Sequence, residues 1–238
     1  MNESTALVTG ANSGIGKEIA RQLADAGLTV YVGARDAGRG EQAVREIGGR
    51  ARLLLLDVTD EKSVADAAQQ VESLDILVNN AGMMVDDATA AEASVDSFRR
   101  TFETNLFGVL AVTNAFLPVL RRSAAPRIVN LSSGTGSLTQ SADSGHRFAF
   151  APGSAAAYRS SKAALNALTL FQAQSLADAG FKVNAVAPGL RATNLNALAA
   201  GSAGDPAEGA AGAVRLALLP DDGPTGGFFS WDGSPLPW

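Results

Sequence analysis

The 238-residue chain contains no cysteine and only one histidine, His146. The lack of cysteine excludes disulfide bonds and thiolate chemistry, and the sequence shows neither metal-ligand spacing nor a Ser–His–Asp set. Basic runs are missing as well, since the formal net charge is −5 and the pI is about 4.9. We therefore expect no metal site, and no nucleic-acid or anionic-membrane partner.

Long apolar runs are also absent. The first residues, MNESTALVTG, lack the basic segment and apolar stretch of a signal peptide, and no later run reaches about 18 apolar residues. A cytoplasmic protein without a membrane partner is the simplest expectation. Apolar residues make up 46% of the chain and charged residues 18%. That composition can form a sizeable core and excludes a disordered or fibrous chain.

Strand-like and helix-like segments alternate along the chain. The strand-like segments are short apolar runs, too continuous for half-exposed strands and typical of strands buried in a parallel sheet. The segments between them have the spacing of apolar residues that is typical of helices. These runs are 5–9, 28–33, 51–56, 75–80, 127–132 and 181–187, and GGFFSW near the end predicts a seventh strand. We predict an α/β fold: one doubly wound (Rossmann) parallel sheet of about seven strands, with helices on both faces and 1–238 forming a single domain.

Two stretches rich in glycine, serine and alanine interrupt this alternation, at 134–157 and 190–206. Long loops in a compact fold are more often functional than accidental. Ligands of open α/β sheets bind beyond the carboxyl ends of the strands. We therefore predict a substrate loop at 190–206 and an insertion at 134–157, both next to one ligand site.

The first strand runs directly into TGANSGIG and then into a helix. Its glycines Gly10, Gly14 and Gly16 follow the pattern GxxxGxG, not the GxGxxG of the general dinucleotide fingerprint. Glycines at such a turn let a pyrophosphate approach the unpaired N–H groups at the helix N-terminus. An ordinary glycine-rich turn is the alternative, and the strand-before, helix-after context favours a dinucleotide site.

Charged residues follow the second and third strands. A carboxylate at the end of the second strand binds a ribose 2′-hydroxyl, whereas an arginine pairs with a 2′-phosphate, and here both are present as Arg35 and Asp36. Arg39 is a further positive residue in the same stretch. Asp57 could read an adenine edge or help to cap the next helix, and spacing leaves both roles open.

Tyr158 and Lys162 lie one helical turn apart in AYRSSKAALNAL. Taken alone, the pair is more simply a surface i,i+4 contact. A lysine charge about 4–5 Å away, at an effective dielectric of about 20, would favour tyrosinate by roughly 3–4 kcal/mol. That is about 2–3 pH units, enough to bring the tyrosine pKa from about 10 towards the range of a general acid–base catalyst.

Seven motifs occur in order and together resemble the short-chain dehydrogenase/reductase family, nearest to its NADPH-dependent carbonyl-reductase-like branch. The resemblance runs through nearly the whole chain. The motifs are TGANSGIG, Asp57-Val58, NNAG (79–82), Asn105, NLSSG (130–134), YRSSK (158–162) and APG (187–189).

The resemblance implies a site for each part of the reaction. The family's catalytic tetrad maps onto Asn105, Ser133, Tyr158 and Lys162. Its cofactor positions map onto Gly10, Ser13, Gly14, Ile15, Gly16, Arg35, Asp57, Val58, Asn79, Ala81, Gly82, Tyr158, Lys162, Pro188, Gly189 and Thr193.

The implied activity is NADPH-dependent reduction of a ketone or aldehyde, with Tyr158 as general acid and base in a reversible hydride transfer. Ser133 would orient the carbonyl, and Asn105 would hold a water that connects Lys162 to solvent. NADP(H) is favoured over NAD(H) because Ala34 stands where NAD-using members carry an acid.

Two alternatives stay open: an NAD-dependent alcohol dehydrogenase, supported by Asp36, and a non-catalytic NADP-binding regulatory protein. The resemblance also implies a small-molecule carbonyl or alcohol substrate and a homodimer or homotetramer. Met83 and Met84 directly follow NNAG, where they can contact substrate or pack in the core.

Overall fold

Seven parallel strands form one sheet in the order β3-β2-β1-β4-β5-β6-β7. The structure, a computed structural model, describes residues 4–146 and 153–238. The order reverses between β1 and β4, the crossover point at which open α/β sheets form a ligand crevice. The predicted doubly wound fold is confirmed. The strands are β1 (Thr5–Val8), β2 (Thr29–Ala34), β3 (Ala51–Leu55), β4 (Ile76–Asn79), β5 (Arg127–Leu131), β6 (Lys182–Ala187) and β7 (Phe228–Ser230).

Helices cover both faces of this sheet. Among the described residues they are α1 (Gly14–Asp25), α2 (Ala37–Ile47), α3 (Glu61–Gln69), α4 (Val95–Phe102), α5 (Gly108–Leu120), α6 (Leu138–Ala142), α7 (Ala156–Ser175), α8 (Ala197–Ala200) and α9 (Pro206–Ala217). A π-helical turn, Glu103–Phe107, joins α4 to α5, and short 3₁₀ turns occupy Gly134–Gly136 and Ala177–Ala179.

Side chains on alternate positions of the strands bury the two faces separately. Leu7 and Val8 are neighbours on β1, yet they belong to opposite cores, because successive strand residues point to opposite faces. Val8 packs in the core that includes Ile19 of α1, and Leu7 packs in the core that includes Phe116 of α5. This two-sided burial explains why the strand sequences are continuously apolar.

One strand departs from the prediction of burial on both faces. β3 is the edge strand next to β2, and its Leu55 is 49% exposed. An edge strand has a neighbour on one side only, so part of its apolar surface stays open to solvent. The prediction of a strand at 51–56 is confirmed, whereas the prediction that this strand is buried on both faces is wrong.

Val95–Leu120 forms one continuous helical segment, and Ser94 caps its N-terminus. Within the described ranges it is the one helix apolar and long enough to cross a membrane by composition alone, but 44% of its apolar window is buried in the fold. A core helix has the same character.

Two glycines end helical segments. Gly27 and Gly180 adopt φ values of 92° and 75°, a left-handed conformation that costs other residues a steric clash. The predicted loop 190–206 contains the single turn of α8, and the predicted insertion 134–157 contains α6 and the first residues of α7. Positions 147–152 of that insertion lie outside the described residues.

Candidate active site

A cleft of about 430 Å³ opens at the carboxyl ends of the strands around the β1–β4 crossover. Most of the predicted cofactor residues line it. They are Gly10, Ser13, Gly14, Ile15, Gly16, Arg35, Asp57, Val58, Ala81, Gly82, Tyr158, Lys162, Pro188 and Thr193.

The glycine-rich loop after β1 is held by Asn80. Its side-chain amide donates to the carbonyl oxygens of Thr9 (2.8 Å) and Gly10 (3.2 Å). A Cβ on Gly16 would overlap this amide nitrogen and lie 2.6 Å from the Gly10 oxygen. Gly10 and Gly14 both have positive φ, 63° and 56°. The loop therefore needs glycine to turn this tightly, and it leaves its backbone open to the cleft.

The N-terminus of α1 differs from those of its neighbours. Ser13 occupies the N-cap position without a side-chain hydrogen bond, and no acidic residue lies in the first turn. By contrast, Asp36 caps α2 and Asp60 caps α3. Among the described residues no side chain caps the first N–H groups of α1, and these groups point toward a glycine cradle. This arrangement fits the pyrophosphate of a dinucleotide.

Two arginines stand at the β2 side of the cleft, Arg35 and Arg39. The carboxylate of Asp36 lies between them in sequence and accepts the backbone N–H of Arg39 at 2.8 Å. Asp57 Oδ1 accepts from both the N–H and the hydroxyl of Thr59, at 3.0 and 2.7 Å. Asp57 thus combines a turn contact with a place on the cleft wall, and Asp60 takes the helix-capping role.

Two predicted cofactor residues lie away from the cleft. The Asn79 side chain points into a buried network, donating to Thr113 Oγ1 (3.1 Å) and Asn130 Oδ1 (2.9 Å). Asn79 is the last residue of β4 and its side chain faces the core, whereas Asn80 follows it and faces the cleft. The assignment of Asn79 as a cofactor position stays a prediction. Gly189 (φ 75°) forms a turn beside Trp231 and does not line the cleft.

Tyr158 and Lys162 occupy one side of α7 at the other end of the cleft. Lys162 is 4% exposed and its Nζ donates to the Leu131 carbonyl oxygen at 2.7 Å. The same nitrogen lies 5.7 Å from the centroid of the Tyr158 ring. The Tyr158–Lys162 pair therefore lines the cleft and is not a surface i,i+4 contact.

Burial dominates the protonation of this pair. It raises the pKa of Tyr158 to about 12, and a hydrogen bond with Ser133 acts in the opposite direction with a smaller effect. Burial also lowers the pKa of Lys162 to about 8. The expected lowering of the tyrosine pKa by lysine is wrong for the cofactor-free protein, because desolvation of the phenolate outweighs an ammonium already bonded to Leu131.

Ser133 and Asn105 complete the predicted tetrad, although neither borders the cleft in this structure. Ser133 Oγ lies 2.9 Å from Thr135 Oγ1. The Asn105 amide accepts from the N–H of Met83 (2.8 Å) and donates to the Met83 carbonyl (2.9 Å) and Ser161 Oγ (3.0 Å). These bonds fix the segment after β4, and the water-holding role implied for Asn105 stays a prediction.

Sequence reasoning missed several residues that line the cleft. They are Asn12, Leu56, Thr59, Asn80, Thr104, Leu131, Ser132, Asn194 and Leu195. Met83, expected either to contact substrate or to pack in the core, lines the cleft as well. Asn80 and Ser132 directly follow β4 and β5, and that position at a strand's carboxyl end was the available signal. Thr104 lies in a π-helical turn, for which the sequence carries no comparable signal.

Comparison with known proteins adds to this geometry. The model of the family described as short chain dehydrogenase matches residues 4–200. The chain is 34% identical to salutaridine reductase of Papaver bracteatum, covering 94% of this chain and 93% of that protein. It is 35% identical to (+)-neomenthol dehydrogenase of Arabidopsis thaliana, covering 94% and 95%.

Solved structures show the same likeness. An NADPH-bound carbonyl reductase from chicken fatty liver superposes with a TM-score of 0.85 at 28% identity, covering 100% of both chains. Salutaridine reductase from Papaver somniferum gives a TM-score of 0.80 at 31% identity, covering 96% and 99%.

Proposed function

The chain belongs to the short-chain dehydrogenase family, whose reaction is NAD(P)-dependent oxidoreduction between carbonyl and alcohol, and we propose that it reduces a ketone or aldehyde with NADPH. The observation that carries this proposal is the Tyr158–Lys162 pair. The Tyr158 phenol lines the cleft and, like other phenols, is protonated at neutral pH, so it can donate the proton that reduction of a carbonyl requires.

NADPH, when bound, supplies the hydride to the carbonyl carbon. Tyr158 donates its proton to the carbonyl oxygen, so that one hydride and one proton convert the carbonyl to an alcohol. The Lys162 ammonium stabilises the phenolate left behind, and the Ser133 hydroxyl, which is hydrogen-bonded to Tyr158 behind the cleft wall, would turn to the reacting oxygen when substrate is bound. In the reverse direction the phenolate takes the proton back.

The distribution of charge supports an uncharged substrate. Arg35, Asp36, Arg39 and Asp57 all lie beyond β2 and β3, at one end of the cleft. Beyond β4, β5 and β6 the described residues that line the cleft are uncharged. Lys162 on α7 is the one charged group that the described ranges place on the cleft wall at this end, and its ammonium is hydrogen-bonded to the Leu131 carbonyl. An anionic adenosine phosphate suits the first end, and a neutral carbonyl compound suits the second.

The preference for NADPH over NADH rests on the arginines. Arg35 and Arg39 line the cleft, whereas the Asp36 carboxylate is engaged in capping α2. Arg35→Ala should weaken NADPH binding about tenfold or more, the typical value of a hydrogen bond to a charged group, and leave NADH binding within twofold. Equal losses of affinity for NADPH and NADH in fluorescence titrations would contradict this assignment. They would favour the alternative of an NAD-dependent alcohol dehydrogenase.

The activity itself is tested with a panel of ketones and aldehydes, following nicotinamide absorbance with NADPH across pH 6 to 9. Turnover of a neutral carbonyl compound is the expected result. Tight NADPH binding without turnover of any panel member would instead favour the non-catalytic NADP-binding regulator.

The proposal includes a homodimer or homotetramer formed through α5 and α7. Phe107, at the start of α5, is 50% exposed, and Phe171 on α7 is 60% exposed. Apolar side chains this exposed on two helices that flank one face of the sheet favour burial against a second copy. Sedimentation of the wild type and of Phe107→Glu/Phe171→Glu should show an oligomer and a monomer, respectively. A cytoplasmic location stays a prediction.

A further inference from the structure

Arg191 is an unusual residue for its position. It lies two residues after the turn at Gly189, yet its side chain is only 9% exposed. Nε and Nη2 have no hydrogen-bond partner within the described ranges, and Nη1 lies 3.6 Å from Glu208, whose own side chain is 57% exposed. Burying a guanidinium that has only one long ion pair costs free energy, so other contacts of the Arg191 side chain must offset this cost.

The guanidinium is enclosed by an aromatic face and by glycines. Its central carbon lies 4.4 Å from the centroid of the Trp231 ring, a close cation–π contact. A Cβ on Gly189, Gly204 or Gly209 would lie 3.4, 3.1 or 2.9 Å from atoms of this side chain. Three glycines from three segments thus leave the space that Arg191 fills. The side chain joins the end of β6, the substrate loop, α9 and the residue after β7.

Arg191 sits at the base of the substrate loop. Next to it, the Ala192 N–H donates to the Gly204 carbonyl at 2.8 Å and closes the loop. The opposite anchor is Asn196, whose amide donates to Met84 Sδ in the segment after β4 at 3.0 Å, while its Oδ1 accepts from Ala199 N at 2.8 Å. The residues between the two anchors, 193–195, are the ones that line the cleft.

We propose that Arg191 is a positioning residue: by stacking on Trp231 it holds the substrate loop in the conformation in which residues 193–195 meet cofactor and substrate. This inference rests on the proposed function for what the loop meets, and on the structure alone for what holds the loop. If the loop conformation is populated only in part, the apparent affinity of every ligand that needs it falls by the same fraction.

Arg191→Met tests this, since methionine keeps an unbranched apolar stem and removes the cation. Loss of a desolvated cation–π contact predicts that the KM for cofactor and the KM for carbonyl, each measured with the other ligand well below saturation, rise by roughly tenfold. The value of kcat should change less than twofold, because saturating ligands restore the loop. Trp231→Leu should give the same increases, and the double variant should not exceed either single variant. Arg191→Lys, which keeps a cation near the ring, should recover part of the loss.

Glu208→Gln is the matched control, because it removes the long, exposed ion pair and leaves the stacking intact. It should change no kinetic constant by more than twofold. Values of KM within twofold of wild type in both Arg191→Met and Trp231→Leu would overturn the proposal. So would a loss confined to kcat.

Hydrogen exchange provides a readout that needs no turnover. The Ala192 amide should exchange about tenfold faster in Arg191→Met than in wild type, while amides of β1 and β4 keep their protection. Unchanged exchange at Ala192 would refute the anchoring role even if no carbonyl substrate were found. If Arg191→Met does not fold, Trp231→Leu decides alone by the same two measurements.

Discussion

The two ends of the cleft are built in different ways. The adenosine end, beyond β1, β2 and β3, has a glycine turn and a helix N-terminus whose N-cap side chain makes no hydrogen bond. Its carboxylates accept hydrogen bonds from residues only two or three positions further along the chain. The catalytic end is assembled from the segments after β4, β5 and β6 together with α7, and its central lysine is almost fully buried. Binding at the first end thus depends on backbone shape, whereas chemistry at the second depends on desolvation.

Tyr158→Phe should have the largest effect on this contrast. It removes the proton donor at the catalytic end and leaves the adenosine end intact, so hydride transfer in single turnovers should slow by about 10²–10⁴-fold. The dissociation constant of NADPH should stay within twofold. Tyr31→Phe, at the chain's one other tyrosine, is the control and should leave both values unchanged. Equal losses of binding and rate in Tyr158→Phe would mean that the ends are not separable.

Lys162→Met should show how much the buried lysine charge at the catalytic end lowers the free energy of unfolding. The folded-state pKa of Lys162 is about 8 and the ordinary value is 10.5. Between these values the unfolded chain binds more protons, so the free energy of unfolding of the wild type should rise with pH by about 3 kcal/mol. Below pH 8 both states are protonated and no gain is expected.

Urea denaturation of the wild type and of Lys162→Met at pH 7.5 and 10.5 measures this difference, because the other titrating groups cancel between the two proteins. The wild type should gain about 3 kcal/mol on the variant over this interval. Parallel pH profiles would show that the lysine is not desolvated.

Gly16→Ala should damage the adenosine end alone. The added Cβ would meet the Asn80 amide and the Gly10 carbonyl, and overpacking of this kind costs about 1–3 kcal/mol. Cofactor affinity should fall by roughly tenfold to hundredfold, measured by titration calorimetry. Gly38→Ala is the matched control, because its Cβ would make only an ordinary 3.6 Å contact with Asp36. An unchanged Kd for the cofactor in Gly16→Ala would show that the glycine loop does not contribute to cofactor binding.

Asp36→Asn should have the smallest effect. Asparagine caps helices as well as aspartate does, so the free energy of unfolding should change by only a few tenths of a kcal/mol. The ratio of NADPH to NADH affinity should shift less than about threefold, since the carboxylate is engaged with the start of α2. A tenfold loss of NADH affinity would instead identify Asp36 as the ribose ligand.

The same contrast explains what could be read from the sequence. The glycine turn, Arg35 and the strand ends are contiguous motifs, and their places in the fold follow from period and order. Asn79 and Asn80 could not be told apart, because which of two adjacent residues is the last of a strand decides which one faces the cleft. The edge position of β3 depends on sheet order, which no local pattern contains.

Protonation states were also beyond the sequence. The spacing of Tyr158 and Lys162 indicated a charge effect, but the sign of the tyrosine pKa change depends on burial contributed by distant segments. The buried Arg191 is a further example, since the glycines that enclose it come from the turn after β6, the substrate loop and α9. Both features arise from tertiary packing.

Burial should keep the Tyr158 phenol protonated until the positive charge of an oxidised nicotinamide reaches the catalytic end. Tyr31→Phe leaves Tyr158 as the chain's one tyrosine, so its pKa can be measured by NMR of ¹³C-labelled tyrosine. The free protein should keep Tyr158 protonated at pH 11, and saturating oxidised cofactor should lower the pKa by roughly two. Ionisation near pH 10 in both states would contradict the claim.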